Sequence, residues 1–105
     1  MNDYKREEIK THILEQIEDY ETRDLYQLHH YLFNTDYYII GTYEAKKWCG
    51  DEVFNIIETI REYEEDHFGE VSTDFSNPER VVNMYCYIVG QELLHEMAEE
   101  LKLEV

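Results

Sequence analysis

Two pairs of glutamate and histidine have a spacing that could bind a metal ion. His67 follows Glu64, and His95 follows Glu92, each by three residues. On a helix this spacing places both side chains on one face, as in di-iron bundles. Because 25 of the 105 residues are Asp or Glu, such pairs also arise by chance. If the two segments form a helical hairpin, His67 lies near the loop and His95 lies about 25 Å away along the axis. We therefore predict no metal site and no cofactor.

Other histidines and both cysteines are weaker candidates for chemistry. His29 and His30 are adjacent, so on a helix their side chains diverge, and we expect one to be half-buried and the other exposed. Cys49 and Cys86 lie in apolar segments without CxxC spacing. This pattern predicts buried, reduced thiols in a cytosolic protein, although a Cys49 nucleophile with a histidine partner is an alternative.

Nucleophile and phosphate-binding motifs are missing from the sequence. Its serines are Ser72 and Ser76, and neither lies in a GxSxG frame. Ser76 precedes Asn77 and Pro78, a pattern typical of a helix start. Neither GxxxxGK[ST] nor GxGxxG occurs. We predict that the protein is not an enzyme; a metal-dependent enzyme is the third-ranked alternative.

Acidic residues recur at helical spacing in two segments and are the strongest functional signal. Carboxylates about 6 Å apart along a helix approximate the phosphate spacing of a nucleic-acid strand. Such rows could occupy the basic groove of a nucleic-acid-binding protein, or they could form solvated faces that maintain solubility. The first row, on the predicted fourth helix, consists of Glu58, Glu62, Glu65 and Asp66. The second row, on the predicted fifth helix, consists of Glu92, Glu96, Glu99 and Glu100. All of these residues except Glu92 are predicted to bind a partner.

Overall composition supports the same choice of partner. The formal net charge is −16, which argues against direct binding to nucleic acid or to an anionic membrane and favours a basic protein. Ten tyrosines indicate a folded chain and offer residues suited to protein interfaces. No run reaches the roughly 18 apolar residues of a membrane span, and the charged N-terminus is unlike a signal peptide. We expect a cytoplasmic protein.

The elements that would position these residues are predicted to be helices in a single acidic domain over residues 1–105. Apolar residues at helical spacing predict a helix over 4–20, capped by Asp3, and a second helix capped by Thr22 or Asp24. A third helix is predicted from Asp36 to Cys49, with a short strand at 37–40 as the alternative. Its inner face would contain Tyr38, Gly41, Ala45 and Trp48.

Two further helices complete an all-α bundle of about five helices. Gly50 and Asp51 predict the stop of helix three and the cap of helix four, which runs to about His67. Its inner side contains Val53, Ile56, Ile57, Ile60 and either Tyr63 or Glu64, with Phe54 beside them. After a loop over 69–77, the fifth helix runs from Pro78 to about Leu101. It is apolar over much of its circumference, so we predict that it is central. Its apolar stripe runs through Val82, Cys86, Val89, Leu93, Met97 and Leu101.

Two segments resemble small acidic proteins of unknown function from bacteriophages. They are FGEVSTDFSNPERVVNMYCYIVGQELL at 68–94 and YYIIGTYEAKKW at 37–48, about a third of the chain. The resemblance implies a phage or prophage origin, a location in the host cytoplasm and a small accessory role. It implies no catalytic or binding residues.

The leading functional hypothesis is a non-enzymatic binding protein that engages a basic protein surface. In its sharpest form it is a nucleic-acid mimic that inhibits a host nucleic-acid-binding protein. The alternative is a structural or housekeeping interaction protein, such as a homodimer, whose acidity serves solubility. Which acidic face, or which tyrosine-rich face, makes the contact is left open by the sequence.

Overall fold

The computed structural model describes residues 5–33 and 42–105, and all the named secondary-structure elements within these ranges are helices. Its α-helices are α1 (Arg6–Gln16), α2 (Leu25–Leu32), α3 (Thr42–Cys49), α4 (Val53–Phe68) and α5 (Pro78–Glu96). The predicted all-α class is confirmed. Because α3 continues into α4 through a single 3-10 turn at Gly50–Glu52, the two also count as one broken helix, which gives four helices rather than five.

Helix α5 lies at the centre of the fold, as its apolar circumference predicted. Each of the other four helices packs against it. Its side chains are buried over most of its circumference between Val81 and Leu94, and those of Val82 and Leu94 are completely inaccessible. Gly90 allows the end of α2 to approach closely, since a Cβ at this position would lie 2.4 Å from the ring of Phe33.

Helix ends follow the capping chemistry of the sequence in three places. Asp24 caps α2 by accepting a hydrogen bond from the backbone N–H of Gln27 at 2.9 Å. Asn77 caps α5 by accepting from two N–H groups of its first turn at 3.1 and 3.4 Å, with Pro78 at the first helical position. Gly69 ends α4 in the left-handed conformation, at φ 79°.

Other helix boundaries were predicted incorrectly. Helix α1 ends at Gln16, and the chain continues as a 3-10 turn over Ile17–Asp19 instead of an α-helix to residue 20. Asp51 does not cap α4: it lies within the 3-10 turn, and Glu52 occupies the cap position without a side-chain hydrogen bond. The predicted cap Asp3 lies outside the described residues.

Helix α5 ends five residues earlier than the predicted Leu101. At Met97 the backbone leaves helical geometry, with φ −95° and ψ 2°. A turn follows and closes at Lys102 in the left-handed conformation, where the N–H of Leu103 donates to the carbonyl of Ala98 at 2.8 Å. This is the Schellman pattern that stops a helix, here formed without glycine.

After this turn the C-terminal segment pairs with the connection before α2. The N–H of Glu104 donates to the carbonyl of Arg23 at 2.7 Å, and the N–H of Leu25 donates to the carbonyl of Glu104 at 2.8 Å. This isolated parallel bridge, between Asp24 and Glu104, fixes the last residues against the start of α2.

The burial of residues in α3 and at the start of α4 can be compared with the inner faces predicted for these helices. Ala45 is buried and Trp48 is half-buried, as predicted, whereas Tyr38, Gly41 and the helix-or-strand choice at 37–40 lie outside the described residues. Phe54 was placed beside the inner stripe, but its side chain is 80% exposed. None of the helices within 5–33 and 42–105 has the length and apolar character required to cross a membrane.

Candidate functional site

Helices α4 and α5 enclose a groove that brings several of the predicted acidic residues together. The groove has a volume of about 440 Å³. Glu58, Glu62 and Asp66 line it from α4, and Glu92 lines it from α5. We call this the acidic groove. The helical spacing of the three α4 residues explains their alignment, because positions four residues apart lie above one another on the helix surface.

The acidic groove continues toward the C-terminal end of α5. A second depression of about 450 Å³ shares Tyr63, His67 and Glu92 with the first and adds His95 and Glu96. Four of the seven predicted partner-binding residues therefore line one continuous surface: Glu58, Glu62, Asp66 and Glu96.

The remaining three predicted residues lie elsewhere. Glu65 is exposed on α4 but does not line the groove. Glu99 and Glu100 are exposed in the turn that follows α5, because the helix ends before them. The second predicted row is thus interrupted, whereas the row on α4 is continuous.

One wall of the acidic groove is partly neutralised by a residue that the sequence did not reveal. Arg6 of α1 forms salt bridges with Glu92 at 3.0 Å and with Glu96 at 2.7 Å. The partners are 86 and 90 residues apart in sequence, so no local spacing could have indicated the contact. Part of the charge on the α5 wall is therefore used to attach the first helix to the last.

The α4 wall retains its charge. Arg61 is the cation of this helix, and its guanidinium lies 5.1 Å from the ring centre of Phe75 in a cation–π contact. Within the described residues, no lysine or arginine forms a salt bridge with Glu58, Glu62 or Asp66. The negative potential of the groove therefore comes mainly from α4.

The Glu64–His67 pair is not arranged to chelate a metal ion. Glu64 is buried, whereas His67 lines the acidic groove. The side chains of this pair therefore face different regions of the molecule. Glu92 and His95 both line the second depression, where Glu92 forms a salt bridge with Arg6. His67 stacks on Tyr63, with ring centres 3.9 Å apart, and its Nδ1–H donates to the Tyr63 carbonyl at 2.9 Å. Over 5–33 and 42–105, no group of three or more His, Cys, Asp or Glu side chains is arranged to hold a metal ion.

Comparison with known proteins adds nothing to this geometry. No family model, no curated protein and no solved structure matches the chain. The resemblance to acidic phage proteins therefore stays a prediction.

Glu64 forms a second, different carboxylate site at the loop end of α4. It is 1% exposed, and it accepts hydrogen bonds from the Ser72 hydroxyl at 2.7 Å and the Thr73 N–H at 3.1 Å. Sequence periodicity allowed either Tyr63 or Glu64 on the inner side of α4, but it did not indicate that the loop would supply the donors. A cleft of about 360 Å³ lies beside Glu64.

Residues considered for acid–base or nucleophilic chemistry are engaged in the core. His29 is buried, its Nε2–H donates to the Tyr87 carbonyl at 2.8 Å, and burial lowers the pKa of the ring. His30 is exposed, as predicted, whereas His29 is buried and not half-buried as expected. Cys49 and Cys86 are free and buried, as predicted, and burial raises the pKa of Cys86 to about 12. The reactive thiolate of Cys86 is therefore disfavoured at neutral pH.

Exposed aromatic side chains provide further contact surface. On α4, Phe54 is 80% exposed and Phe68 is 55% exposed. On α2, Tyr26 and Tyr31 are exposed, and Tyr31 stacks on Tyr20. The side chains of Tyr37, Tyr38 and Tyr43, the other tyrosines of the predicted surface, lie outside the described residues.

Proposed function

We propose that this protein is a non-enzymatic binding protein whose α4 wall engages the basic surface of a protein partner. The observation that carries the proposal is the row of Glu58, Glu62 and Asp66, which is aligned on one wall of a groove and has no lysine or arginine paired with it among the described residues. A cationic surface can supply the missing positive charge. Exposed Phe54 and Phe68 on the same helix offer aromatic area of the kind that anchors protein interfaces.

The sharpest form of the proposal is mimicry of a nucleic-acid strand. Successive carboxylates of the row lie about 6 Å apart, which is of the same order as the through-space separation of neighbouring phosphates on one strand. The net charge of −16 extends the attraction beyond contact distance and speeds association with a basic partner. On this proposal the partner is a host nucleic-acid-binding protein, and the protein acts as its inhibitor in the host cytoplasm.

A competition assay tests the proposal. Purified nucleic-acid-binding proteins are loaded with labelled duplex DNA or RNA, and this protein is added at increasing concentration. We expect release of the labelled nucleic acid from one class of partner. We also expect the displacement to weaken steeply as salt rises, because exposed charges are screened beyond about 8 Å at physiological ionic strength.

A matched pair of variants separates the α4 row from general negative charge. The first variant replaces the row by lysine at Glu58, Glu62 and Asp66. The second makes the same change in charge at three exposed acids of the first helical segment, Glu7, Glu15 and Glu18. The proposal requires the first variant to lose displacement and the second to keep most of it. Equal loss in both would assign the effect to net charge, and retention by both would remove α4 from the interface.

Homodimer formation is the second candidate function, favoured by the exposure of Phe54 and Phe68 on one helix. Two acidic molecules repel at low salt, so a dimer held by apolar contact should strengthen as salt rises, opposite to mimicry. Sedimentation of the wild type and of Phe54→Ala at low and high salt distinguishes the two. A dimer that forms at high salt and is lost in Phe54→Ala would favour this candidate.

A further inference from the structure

A carboxylate buried without a positive partner marks the loop end of α4. Glu64 is 1% exposed, and its two oxygens accept from neutral donors, the Ser72 hydroxyl and the Thr73 N–H. No lysine or arginine of the described residues lies within salt-bridge distance of it. Removing a carboxylate from water is costly unless charge and hydrogen bonds compensate it. Here the hydrogen bonds are present, but within residues 5–33 and 42–105 no salt bridge supplies the compensating charge.

The cleft beside Glu64 has the size and lining of a site for a small group. Its volume is about 360 Å³, and its walls include the loop over 69–77 and the first turns of α5. Asp74 adds a second carboxylate, and the Ser76 hydroxyl and N–H that bond to it lower its pKa. Phe68 and Tyr87 contribute aromatic surface.

Charge in this cleft is net negative. Arg80 also lines it, so two carboxylates stand against one guanidinium. Arg80 has interactions of its own, and it forms no salt bridge with Glu64 or Asp74. The lining thus combines unneutralised carboxylate with aromatic faces.

We infer that this cleft binds a guanidinium group, with Glu64 as the carboxylate that receives it. A carboxylate offers about four acceptor positions, and Glu64 uses two of them, one on each oxygen. The paired N–H donors of a guanidinium can therefore be accepted once the Ser72 hydroxyl is displaced. The planar cation also stacks well on aromatic faces, a geometry that an ammonium group does not share.

Ser72 controls access to the Glu64 carboxylate. Ser72 is exposed on the loop, and its hydroxyl donates a hydrogen bond to Oε2 of Glu64. The entering guanidinium displaces this neutral hydroxyl and replaces it with a charged donor, which makes the stronger hydrogen bond. Removing the Ser72 hydroxyl should therefore favour binding, an effect opposite to that expected if Ser72 and Glu64 serve only to hold the loop.

Two sources could supply the guanidinium: a free small molecule or the arginine of a protein partner. The second source deepens the proposed function, whereas the site itself does not depend on that function. The two proposals fail separately, because the cleft lies at the loop end of α4 and shares no residue with the α4 acids of the acidic groove.

Titration of the purified protein with n-propylguanidine, followed by NMR, tests the site. The control probe is n-propylurea, which has nearly the same shape and no charge. We expect propylguanidine to shift the signals of the 69–77 loop and of Tyr87 with a dissociation constant of about 0.1–10 mM, and propylurea to bind at least about tenfold more weakly. N-acetyl-arginine methylamide, added separately, asks whether the cleft also accepts the group on a peptide backbone.

Variants assign the binding to Glu64. Glu64→Gln retains an oxygen acceptor for the loop but removes the charge, and should weaken binding at least about tenfold. Glu65→Gln removes the same charge from the adjacent, exposed residue and should change the affinity less than about twofold. Ser72→Ala should tighten binding about two- to tenfold.

Defined results overturn the inference. Absence of shifts around Glu64 at about 20 mM propylguanidine, equal binding of propylurea, or equal weakening by Glu64→Gln and Glu65→Gln would each do so. If Glu64→Gln fails to fold, the guanidine and urea comparison on the wild type and on Ser72→Ala still decides. Binding of propylguanidine alone assigns the site to a free small cation, and binding of the arginine derivative as well assigns it to the side chain of a partner.

Discussion

Glu64 and Glu65 are neighbours on one helix, yet they belong to two regions that use carboxylates differently. Glu64 is buried and bonds to the loop that joins α4 to α5. Glu65 is exposed on the same helical turn. Because successive residues on a helix diverge by about 100°, adjacent acids face different environments. The number of acidic residues therefore says little about their roles. The role of each acidic residue depends on the helix face that it occupies.

The difference extends to the two clefts formed by α4 and α5. At the loop end, the buried carboxylate of Glu64 accepts hydrogen bonds from neutral donors of the loop that joins α4 to α5. Along the acidic groove, Glu58, Glu62 and Asp66 face solvent-filled space and contribute charge. The first region acts through hydrogen bonds at short range, and the second acts through electrostatic potential at longer range.

The largest expected effect concerns α5, which supports both regions. Leu93 and Met97 are each 4% exposed. Replacing either with alanine leaves a cavity in the core and should lower the free energy of unfolding by about 2–5 kcal/mol. Urea denaturation measures the change, and exposed Glu99→Ala is the control, expected to stay within about 0.5 kcal/mol. A loss below about 1 kcal/mol for both core variants would show that α5 is not the common support.

The next effect separates the two adjacent glutamates directly. Glu64→Ala leaves the Thr73 N–H without its acceptor and should cost about 1–3 kcal/mol, together with faster amide exchange in the loop over 69–77. Glu65→Ala should change stability by less than about 0.5 kcal/mol. Equal effects of the two substitutions would contradict the distinction between the regions.

A smaller effect is expected at the neutralised wall of the groove. Arg6→Gln breaks the salt bridges with Glu92 and Glu96, which are partly exposed pairs worth about 0.2–1 kcal/mol each. Its destabilisation should shrink as salt rises, because screening already weakens these pairs. Lys10→Gln is the control for loss of one positive charge on α1. A destabilisation that does not respond to salt would indicate packing of the Arg6 side chain in place of ion pairing.

The smallest effect is a pH dependence from His29. Its pKa is lowered by burial, and the neighbouring charges of His95 and His30 lower it further. The unfolded chain therefore takes up the proton more readily than the folded one, so stability is present above about pH 6.5 and is lost as the pH falls through the lowered pKa. His29→Gln should lose less stability than the wild type between pH 7 and pH 5. The control is exposed His67→Gln, which is not among the residues that lower the His29 pKa and should behave like the wild type. Identical pH profiles for all three proteins would show that His29 does not contribute.

Sequence patterns predicted the helical fold because each relevant signal was local. Asp24, Asn77, Pro78 and Gly69 act within a turn of their helix ends, and the apolar circumference of α5 indicated its central position. The early end of α5 was missed because residues 97–101 contain no glycine or proline to indicate the change of backbone conformation that begins at Met97.

The candidate site was predicted less completely, since its contacts are not local. Helical spacing aligned Glu58, Glu62 and Asp66, but only tertiary structure joins Arg6 to the far end of α5. Periodicity on α4 allowed either Tyr63 or Glu64 on the inner side, but the burial of Glu64 also depends on hydrogen-bond donors from the loop that folds back over it, which no spacing on α4 indicates.

The most direct test of the account is the salt dependence of association between this protein and the partner identified by competition. Stopped-flow rate constants are measured for the wild type, for the α4 variant with lysine at Glu58, Glu62 and Asp66, and for the charge-matched variant at Glu7, Glu15 and Glu18. We expect a steep fall of the wild-type rate with ionic strength, a loss of about 100-fold or more at low salt in the α4 variant, and a loss of only a few-fold in the matched variant. Equal rates for the two variants, or a wild-type rate that does not change with salt, would contradict the assignment of the acidic groove as the binding surface.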